Sequence, residues 1–216
     1  MTTRTPAIGS SAIAFGVAML VASIHLPMAQ GAPTADEHAT HHEHGTAPGA
    51  APMPGDSLFQ LPVHFTTARG AHLMLDHYRG EPVVVTMFYG TCKSACPLLT
   101  RAMTATAASL PTAERAKVRF LMVTFDPVRD TEAELARFTR EYQLQAPQFE
   151  IARTDENGVR LLAAALGIRY RQLPDGNFSH SAILTALDAE GVPRARTENI
   201  AGADPEFVAE VRRLVR

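Results

Sequence analysis

Three short apolar runs constrain the fold of this 216-residue chain more than any other feature. Each run is nearly continuous and has the length of one strand, which is typical of strands that are buried on both faces of a sheet. The runs span residues 83–88, 117–125 and 181–187. Helical patterns lie between them, so the sequence predicts an α/β fold whose sheet is partly parallel and covered on both faces.

Helices and hairpins complete this pattern. Apolar residues at helical spacing, together with residues that favour helix ends, predict helices over residues 95–109, from Thr131, over 159–166 and from Asp204. Alternating residues around turn signals predict hairpins with arms at 58–65 and 71–75 and at 181–187 and 192–197. The order fits a thioredoxin-like sandwich, with a central mixed sheet, helices on both faces and an N-terminal β-hairpin.

Residues 1–31 are predicted to be a signal peptide. The apolar stretch 12–24 follows Arg4 and has the length of a signal-peptide core, and small residues surround a cleavage point near Gly31. An uncleaved membrane anchor that reaches Met28 is the alternative. The chain is therefore expected to be exported, either periplasmic or anchored facing the periplasm, and associated with a membrane only if the segment is uncleaved.

A histidine-rich linker is predicted over residues 32–55, ahead of a folded domain over residues 56–216. The linker is rich in Ala, Pro, Gly and Thr and poor in large apolar residues, which predicts disorder. Its histidines are expected either to form an auxiliary site for copper, nickel or zinc or to belong to a solvated spacer; they are His38, His41, His42 and His44.

The charge of the chain excludes one class of function. The formal net charge is −2 and no long run of lysine or arginine is present. Nucleic-acid binding depends on many cationic contacts with phosphates. No nucleic-acid partner is therefore predicted.

Cys92 and Cys96 are the only cysteines, and they follow directly on the first buried strand. A loop between a strand and a helix is a common place for ligands in α/β sheets. If both residues stand at the helix start, their i, i+4 spacing turns the thiols to one face and the helix N-terminus favours the thiolates. Two thiolates suit copper(I), whereas a structural zinc site needs four ligands. A disulfide or a redox couple without metal remains open.

A histidine would be the natural third ligand. His180 precedes the third buried run and follows the loop at residues 173–177. His64, His72 and His77 lie in or just after the first hairpin and are expected to be surface or structural residues. Position alone does not decide whether His180 is a ligand or a structural residue.

Three segments of the sequence resemble the signature blocks of the Sco/SenC family of copper chaperones. They are VVVTMFYGTCKSACPLL at 83–99, VTFDPVRDT at 123–131 and HSAILTALDAEG at 180–191. The resemblance implies a thioredoxin-like fold and copper, as Cu(I) or Cu(II), bound by Cys92, Cys96 and His180. It also implies that Asp126 is a possible outer carboxylate near the site. Helix capping is sufficient explanation for Asp130 and Thr131.

The same resemblance implies delivery of copper to a respiratory oxidase subunit, such as the one that carries the dinuclear copper centre of cytochrome c oxidase. A thioredoxin-like reductant is a second implied partner, because an oxidising compartment would close the two thiols into a disulfide. The alternative function is that of an enzyme, a thiol-disulfide oxidoreductase that uses Cys92 and Cys96 to reduce the cysteines of a copper-site apoprotein. A chaperone without enzymatic activity is the favoured reading.

Overall fold

The computed structural model describes residues 52–92 and 95–216. Within these ranges, no helix is both long enough and apolar enough to cross a membrane. The predicted signal peptide and the histidines of the linker lie outside the described residues, so they stay predictions.

Nine strands and five α-helices make up the described part of the chain. The strands are β1 (His64–Thr67), β2 (His72–Met74), β3 (Val83–Phe88), β4 (Arg119–Thr124), β5 (Phe149–Arg153), β6 (Tyr170–Gln172), β7 (Phe178–His180), β8 (Leu184–Leu187) and β9 (Pro193–Thr197). The helices are α1 (Ala95–Ala108), α2 (Thr112–Arg115), α3 (Glu132–Glu141), α4 (Glu156–Leu166) and α5 (Pro205–Leu214). Two short 3-10 helices, Leu58–Gln60 and Leu75–Tyr78, flank the first hairpin.

Seven of the strands form one mixed sheet in the order β2-β1-β5-β4-β3-β8-β9. β3, β4 and β5 are parallel neighbours, whereas β1 and β8 flank them antiparallel. The other two strands, β6 and β7, pair only with each other as a separate ribbon. The prediction of a thioredoxin-like mixed sheet with an N-terminal hairpin is confirmed.

The centre of the sheet is fully enclosed. All six residues of β3 are buried, and so are the last five residues of β4. Because successive side chains of a strand point to opposite faces, burial of every residue means that both faces are covered. The parallel strands β3 and β4 both end at the same edge, and the loops that follow them carry the candidate site.

Helix ends follow the chemistry that the sequence indicated. The Thr131 hydroxyl accepts a hydrogen bond from the Glu134 N–H at the start of α3, and Asp204 accepts two at the start of α5. Gly167 ends α4 in the left-handed conformation, at φ 64°, which glycine adopts without strain.

Two local predictions were wrong. The first arm of the N-terminal hairpin was expected from residue 58, but that segment begins with a 3-10 helix and the strand starts only at His64. No strand was expected between α3 and α4, yet β5 lies there and completes the parallel core. The predicted loop at residues 173–177 is a tight turn, and it joins β6 to β7, two strands that the sequence did not indicate.

Candidate metal site

The two cysteines lie where the first central strand meets the first helix. Cys92 stands in the loop after β3, and Cys96 stands in the first turn of α1. The backbone N–H of Cys96 donates a hydrogen bond to the Cys92 sulfur at 3.3 Å. No disulfide joins the two thiols. Both sulfurs therefore lie at the N-terminal end of α1, on one side of the loop.

His180 reaches the cysteines from a distant part of the chain. It is the last residue of β7, and its Nε2 lies 3.9 Å from the Cys96 sulfur although 84 positions separate the two residues. The ligand atoms of Cys92, Cys96 and His180 all lie within 4.8 Å of one another. The structure thus brings the two cysteines together with the histidine that the family resemblance implied.

The second ring nitrogen of His180 fixes how the imidazole is presented. Nδ1 lies 3.1 Å from the backbone carbonyl of Ser181, so an N–H on Nδ1 donates to that oxygen. In the neutral ring this leaves the lone pair of Nε2 directed at the cysteines. Burial holds the pKa of His180 below its ordinary value, which favours this neutral form. A neutral imidazole is the form that binds metal ions.

Aromatic side chains surround the histidine. Its ring centroid lies 4.8 Å from that of Phe125 and 5.8 Å from that of Tyr89, the latter edge-on. Phe178 packs in turn against both Tyr89 and Phe125. Burial and the neighbouring Cys92 raise the pKa of the Tyr89 hydroxyl. These rings pack around the imidazole, which is half-buried.

The electrostatics of the thiols differ from the sequence-based expectation. A surface loop at a helix start was expected to favour thiolates, but the Cys96 side chain is 0% exposed and only Cys96 belongs to α1. Burial raises the pKa of the Cys96 thiol. Without a cation the protonated thiol is therefore favoured, and a metal ion would have to displace its proton.

Asp130 contributes to the site in a way that the sequence did not reveal. Its carboxylate accepts hydrogen bonds from the Gly90 N–H at 2.8 Å and from the Thr124 hydroxyl. The side chain is 1% exposed, and burial raises its pKa. Asp130 was assigned to helix capping, but it ties the loop that carries Cys92 to the end of β4. The assignment of Thr131 as the cap is correct.

Asp126 is also buried and follows β4, next to Phe125. Its carboxylate forms an ion pair with Arg129, whose guanidinium lies over the Phe178 ring at 5.6 Å. The prediction that the Asp126 carboxylate lies near the metal ligands without binding the metal itself stays a prediction. His64 and His72 are exposed on the first hairpin, and His77 lies in the 3-10 helix after it.

Fold and site together define a thioredoxin-like domain with a Cys-Cys-His group that could hold a metal ion. The sequence model of the SCO1/SenC family matches residues 52–216 of this chain. The chain belongs to the SCO1/SenC family. Among curated proteins no sequence relative is found.

Solved structures support the fold. A SCO1/SenC family lipoprotein from Bacillus anthracis str. Ames matches with a TM-score of 0.65 at 17% identity, over 73% of this chain and 96% of its own. The structure of Bradyrhizobium japonicum ScoI with copper bound has a TM-score of 0.57 at 20% identity, over 71% of this chain and 98% of its own. The structure of yeast Sco1 with copper bound has a TM-score of 0.59 at 16% identity, over 70% of this chain and 84% of its own. At these identities the likeness establishes the fold.

Proposed function

We propose that this protein is a copper chaperone that holds one copper ion between Cys92, Cys96 and His180. The observation that carries the proposal is the convergence of two thiol sulfurs and one imidazole nitrogen within 4.8 Å. Soft sulfur donors select copper(I), and a two-sulfur, one-nitrogen set lacks the fourth ligand of a structural zinc site. Membership of the SCO1/SenC family and the copper-bound state of the yeast and Bradyrhizobium structures support copper as the metal.

Loading with copper(I) changes the protonation of the two thiols but changes no oxidation state. Copper(I) binds to the two sulfurs and to Nε2 of His180, and each thiol releases one proton to solvent. Delivery reverses this step: copper(I) passes to the ligands of the acceptor, and the two sulfurs take up protons again. Burial of Cys96 raises the cost of an empty thiolate, so proton uptake assists release of the metal.

The proposed place of action is the periplasm, with a respiratory copper site such as the dinuclear copper centre of cytochrome c oxidase as the acceptor. The support is the predicted signal peptide at residues 1–31 and the family of the chain. Fractionation of cells that express the full chain tests the location. Oxidase copper content in cells that lack the protein tests the acceptor.

A copper(I) titration of the purified, reduced protein in competition with a chromophoric chelator tests the ligand set. One tightly held ion is expected for the domain. Cys92→Ser, Cys96→Ser and His180→Ala should each weaken it. The loss in His180→Ala should be at least the roughly 10- to 100-fold that removal of a residue behind a ligand costs, because one of three direct donors is gone. Unchanged affinity in His180→Ala would refute the three-ligand site.

Two controls separate this site from other histidines. His72→Ala removes an exposed imidazole from β2 and should leave copper affinity unchanged. Replacing all four linker histidines, His38, His41, His42 and His44, by asparagine should remove only weaker, additional binding. If that replacement abolished copper binding, the linker and not the domain would be the copper-binding part.

A second candidate function has one observation in its favour. The N–H of Cys96 at the start of α1 donates to the Cys92 sulfur, and such a donor stabilises a thiolate. Cys92 could then attack a substrate disulfide, giving a mixed disulfide that Cys96 resolves while the substrate leaves as a dithiol. That reaction leaves Cys92 and Cys96 oxidised, so it needs a thioredoxin-like reductant.

Reduction of a disulfide-bonded model substrate by the metal-free protein measures this activity. The oxidoreductase should keep it in His180→Ala and lose it in Cys92→Ser. Activity no faster than that of dithiothreitol at equal thiol concentration would exclude the enzyme.

A further inference from the structure

Arg129 connects the loop after β4 to the two-stranded ribbon that carries His180. Its Nε donates to the carboxylate of Asp126, which is buried. The central carbon of its guanidinium lies 5.6 Å from the centre of the Phe178 ring. Phe178 is the first residue of β7 and His180 is the last. The arginine therefore contacts the strand on which the proposed ligand lies.

The turn of the ribbon lies against the same guanidinium. A Cβ built on Gly176, in the turn between β6 and β7, would lie 3.4 Å from Nη1 of Arg129. The preceding residue, Asp175, has a pKa below its ordinary value, chiefly because Asn177 donates hydrogen bonds to its carboxylate. The positive charge of Arg129 adds to this effect. Arg129 thus meets the ribbon at its turn as well as at β7.

The arginine is itself fixed to the sheet. The backbone N–H of its partner Asp126 donates to the Thr124 hydroxyl, at the end of β4, at 3.0 Å. Among the described residues, the buried Nη2 of Arg129 has no hydrogen-bond acceptor. The face of an aromatic ring attracts a guanidinium, so the Phe178 ring offsets part of this missing bond. Asp126 and Arg129 therefore form a bridge with one end on β4 and the other on the ribbon.

Such a bridge matters because the ribbon shares no ladder with the seven-stranded sheet. The Tyr89 hydroxyl reaches the Phe178 carbonyl only at 3.5 Å, which is long for a hydrogen bond. Tyr170 and Phe178 also pack on the ring of Phe125. Apolar packing is non-directional, whereas a charged side chain that is fixed at one end restricts where the ribbon can lie.

We propose that Arg129 is a positioning residue for the metal site, because it holds the ribbon against the sheet and so keeps the His180 imidazole at the cysteines. It acts through the ribbon and not as a ligand. Asp126 contributes by anchoring the arginine. The inference rests on the proposed function, since it concerns how readily the imidazole leaves the copper ion.

Trypsin measures opening of the ribbon in the metal-free protein, because a strand must leave its ladder before a protease can cleave it. In Arg129→Ala, fragments that end at Arg171 in β6 should form roughly 2- to 30-fold faster, the range expected for loss of a contact between a guanidinium and a ring. Fragments that end at Arg119, in the central strand β4, report global unfolding and serve as the internal reference.

Arg129→Lys separates the ion pair from the contact with the ribbon. Lysine keeps the positive charge beside Asp126 but lacks the planar guanidinium, so this variant should fold as the wild type does and still open its ribbon faster. Arg137→Lys is the matched control, because Arg137 is exposed and pairs with glutamates of its own helix α3. It should leave cleavage at Arg171 unchanged. Wild-type cleavage at Arg171 in both Arg129 variants would overturn the proposal.

Copper transfer shows whether the effect passes through the histidine. Loss of copper(I) from the loaded protein to excess chelator should accelerate in Arg129→Ala, because the imidazole leaves the ion more often. In a His180→Ala background the same substitution should leave the rate unchanged, since no imidazole remains to leave. Equal acceleration in both backgrounds would overturn the route through the ribbon. Failure of the wild type to load copper would instead overturn the proposed function, and the trypsin measurement would still test the bridge.

Discussion

A single carboxylate oxygen of Asp130 receives two donors from different segments. The Gly90 N–H belongs to the loop of Cys92, and the Thr124 hydroxyl belongs to β4. A Cβ at position 90 would lie 2.7 Å from the other oxygen of Asp130, so only glycine allows this close approach. The contact between Gly90 and Asp130 therefore sets the position of the loop that carries Cys92, one of the proposed ligands.

Asp130→Ala should destabilise the fold by about 1–3 kcal/mol, because it leaves two donors without their acceptor in the interior. It should also weaken copper binding about tenfold, since the loop of Cys92 loses its anchor. Asp130→Asn keeps one carbonyl oxygen that can accept both bonds and should restore both properties. Urea unfolding and copper competition measure the two effects. Equal copper affinity in the alanine variant would limit Asp130 to a role in stability.

The raised pKa of Asp130 predicts how stability depends on pH. The folded state binds this proton more tightly than the unfolded chain does, so the contribution is complete below about pH 4, the ordinary value of an aspartate. It is lost as the pH rises through the raised value of the folded state. Asp130→Asn does not titrate, so wild-type stability relative to this variant should fall as the pH rises above about 4. Unfolding curves at several pH values test the sign, and a rise would contradict it.

Among the single elements, the first turn of α4 contains a glycine, a residue that is unfavourable in a helix but that close packing requires here. Gly158 stands in the first turn, where its N–H donates to the Asp155 cap at 2.7 Å. An added Cβ would collide with the Thr154 hydroxyl and lie 3.1 Å from the Thr154 Cβ. Thr154 is buried and has little room to move.

Gly158→Ala should therefore destabilise the protein. The expected overpacking cost of about 1–3 kcal/mol exceeds the gain of about 1 kcal/mol from replacing glycine in a helix. In a Thr154→Ala background the same change should become neutral or stabilising, because the colliding atoms are gone. A double-mutant cycle in urea isolates this coupling. Two additive changes would show that the contact with Thr154 is unimportant.

The elements that could be predicted are those with an unambiguous local signal. The apolar runs gave β3, β4 and β8, and helix caps such as Thr131 and Asp204 gave the helix starts. β5 was not predicted because its five residues include Glu150, which interrupts the apolar pattern. In the structure this carboxylate is buried and paired with Arg69 at 2.6 Å. The ribbon was not predicted because three-residue strands carry almost no periodic signal.

The same reasoning explains which parts of the site were foreseen. Residue type and spacing selected Cys92 and Cys96, and resemblance to a family selected His180. Burial of the sulfurs and the bonds of Asp130 depend on contacts between segments far apart in sequence. No local pattern encodes such contacts. The thiol pKa and the role of Asp130 therefore became apparent only from the structure.

For the whole molecule, copper loading should appear as added stability. A ligand that binds only the folded state stabilises it by about 2.7 kcal/mol at 100 times its Kd, which corresponds to a Tm increase of about 5–10 °C for a domain of this size. Removal of copper(I) by a strong chelator should return Tm to the metal-free value. Thermal unfolding with and without copper measures the shift. His72→Ala should show it in full, and a full shift in Cys96→Ser would contradict the proposed ligands.

His180, the third proposed ligand, lies on the two-stranded ribbon and can move separately from the seven-stranded sheet. β6 and β7 share no ladder with the seven-stranded sheet, and a lone pair of short strands has little stability of its own. The imidazole can then withdraw while the cysteine loop and the sheet stay intact, so handing over a metal ion need not disturb the core. Amide hydrogen exchange should show this as low-energy opening at Tyr170–Gln172 and Phe178–His180. Exchange in Val83–Phe88 should require global unfolding, and equal protection in both places would mean that the ribbon and the sheet open only together.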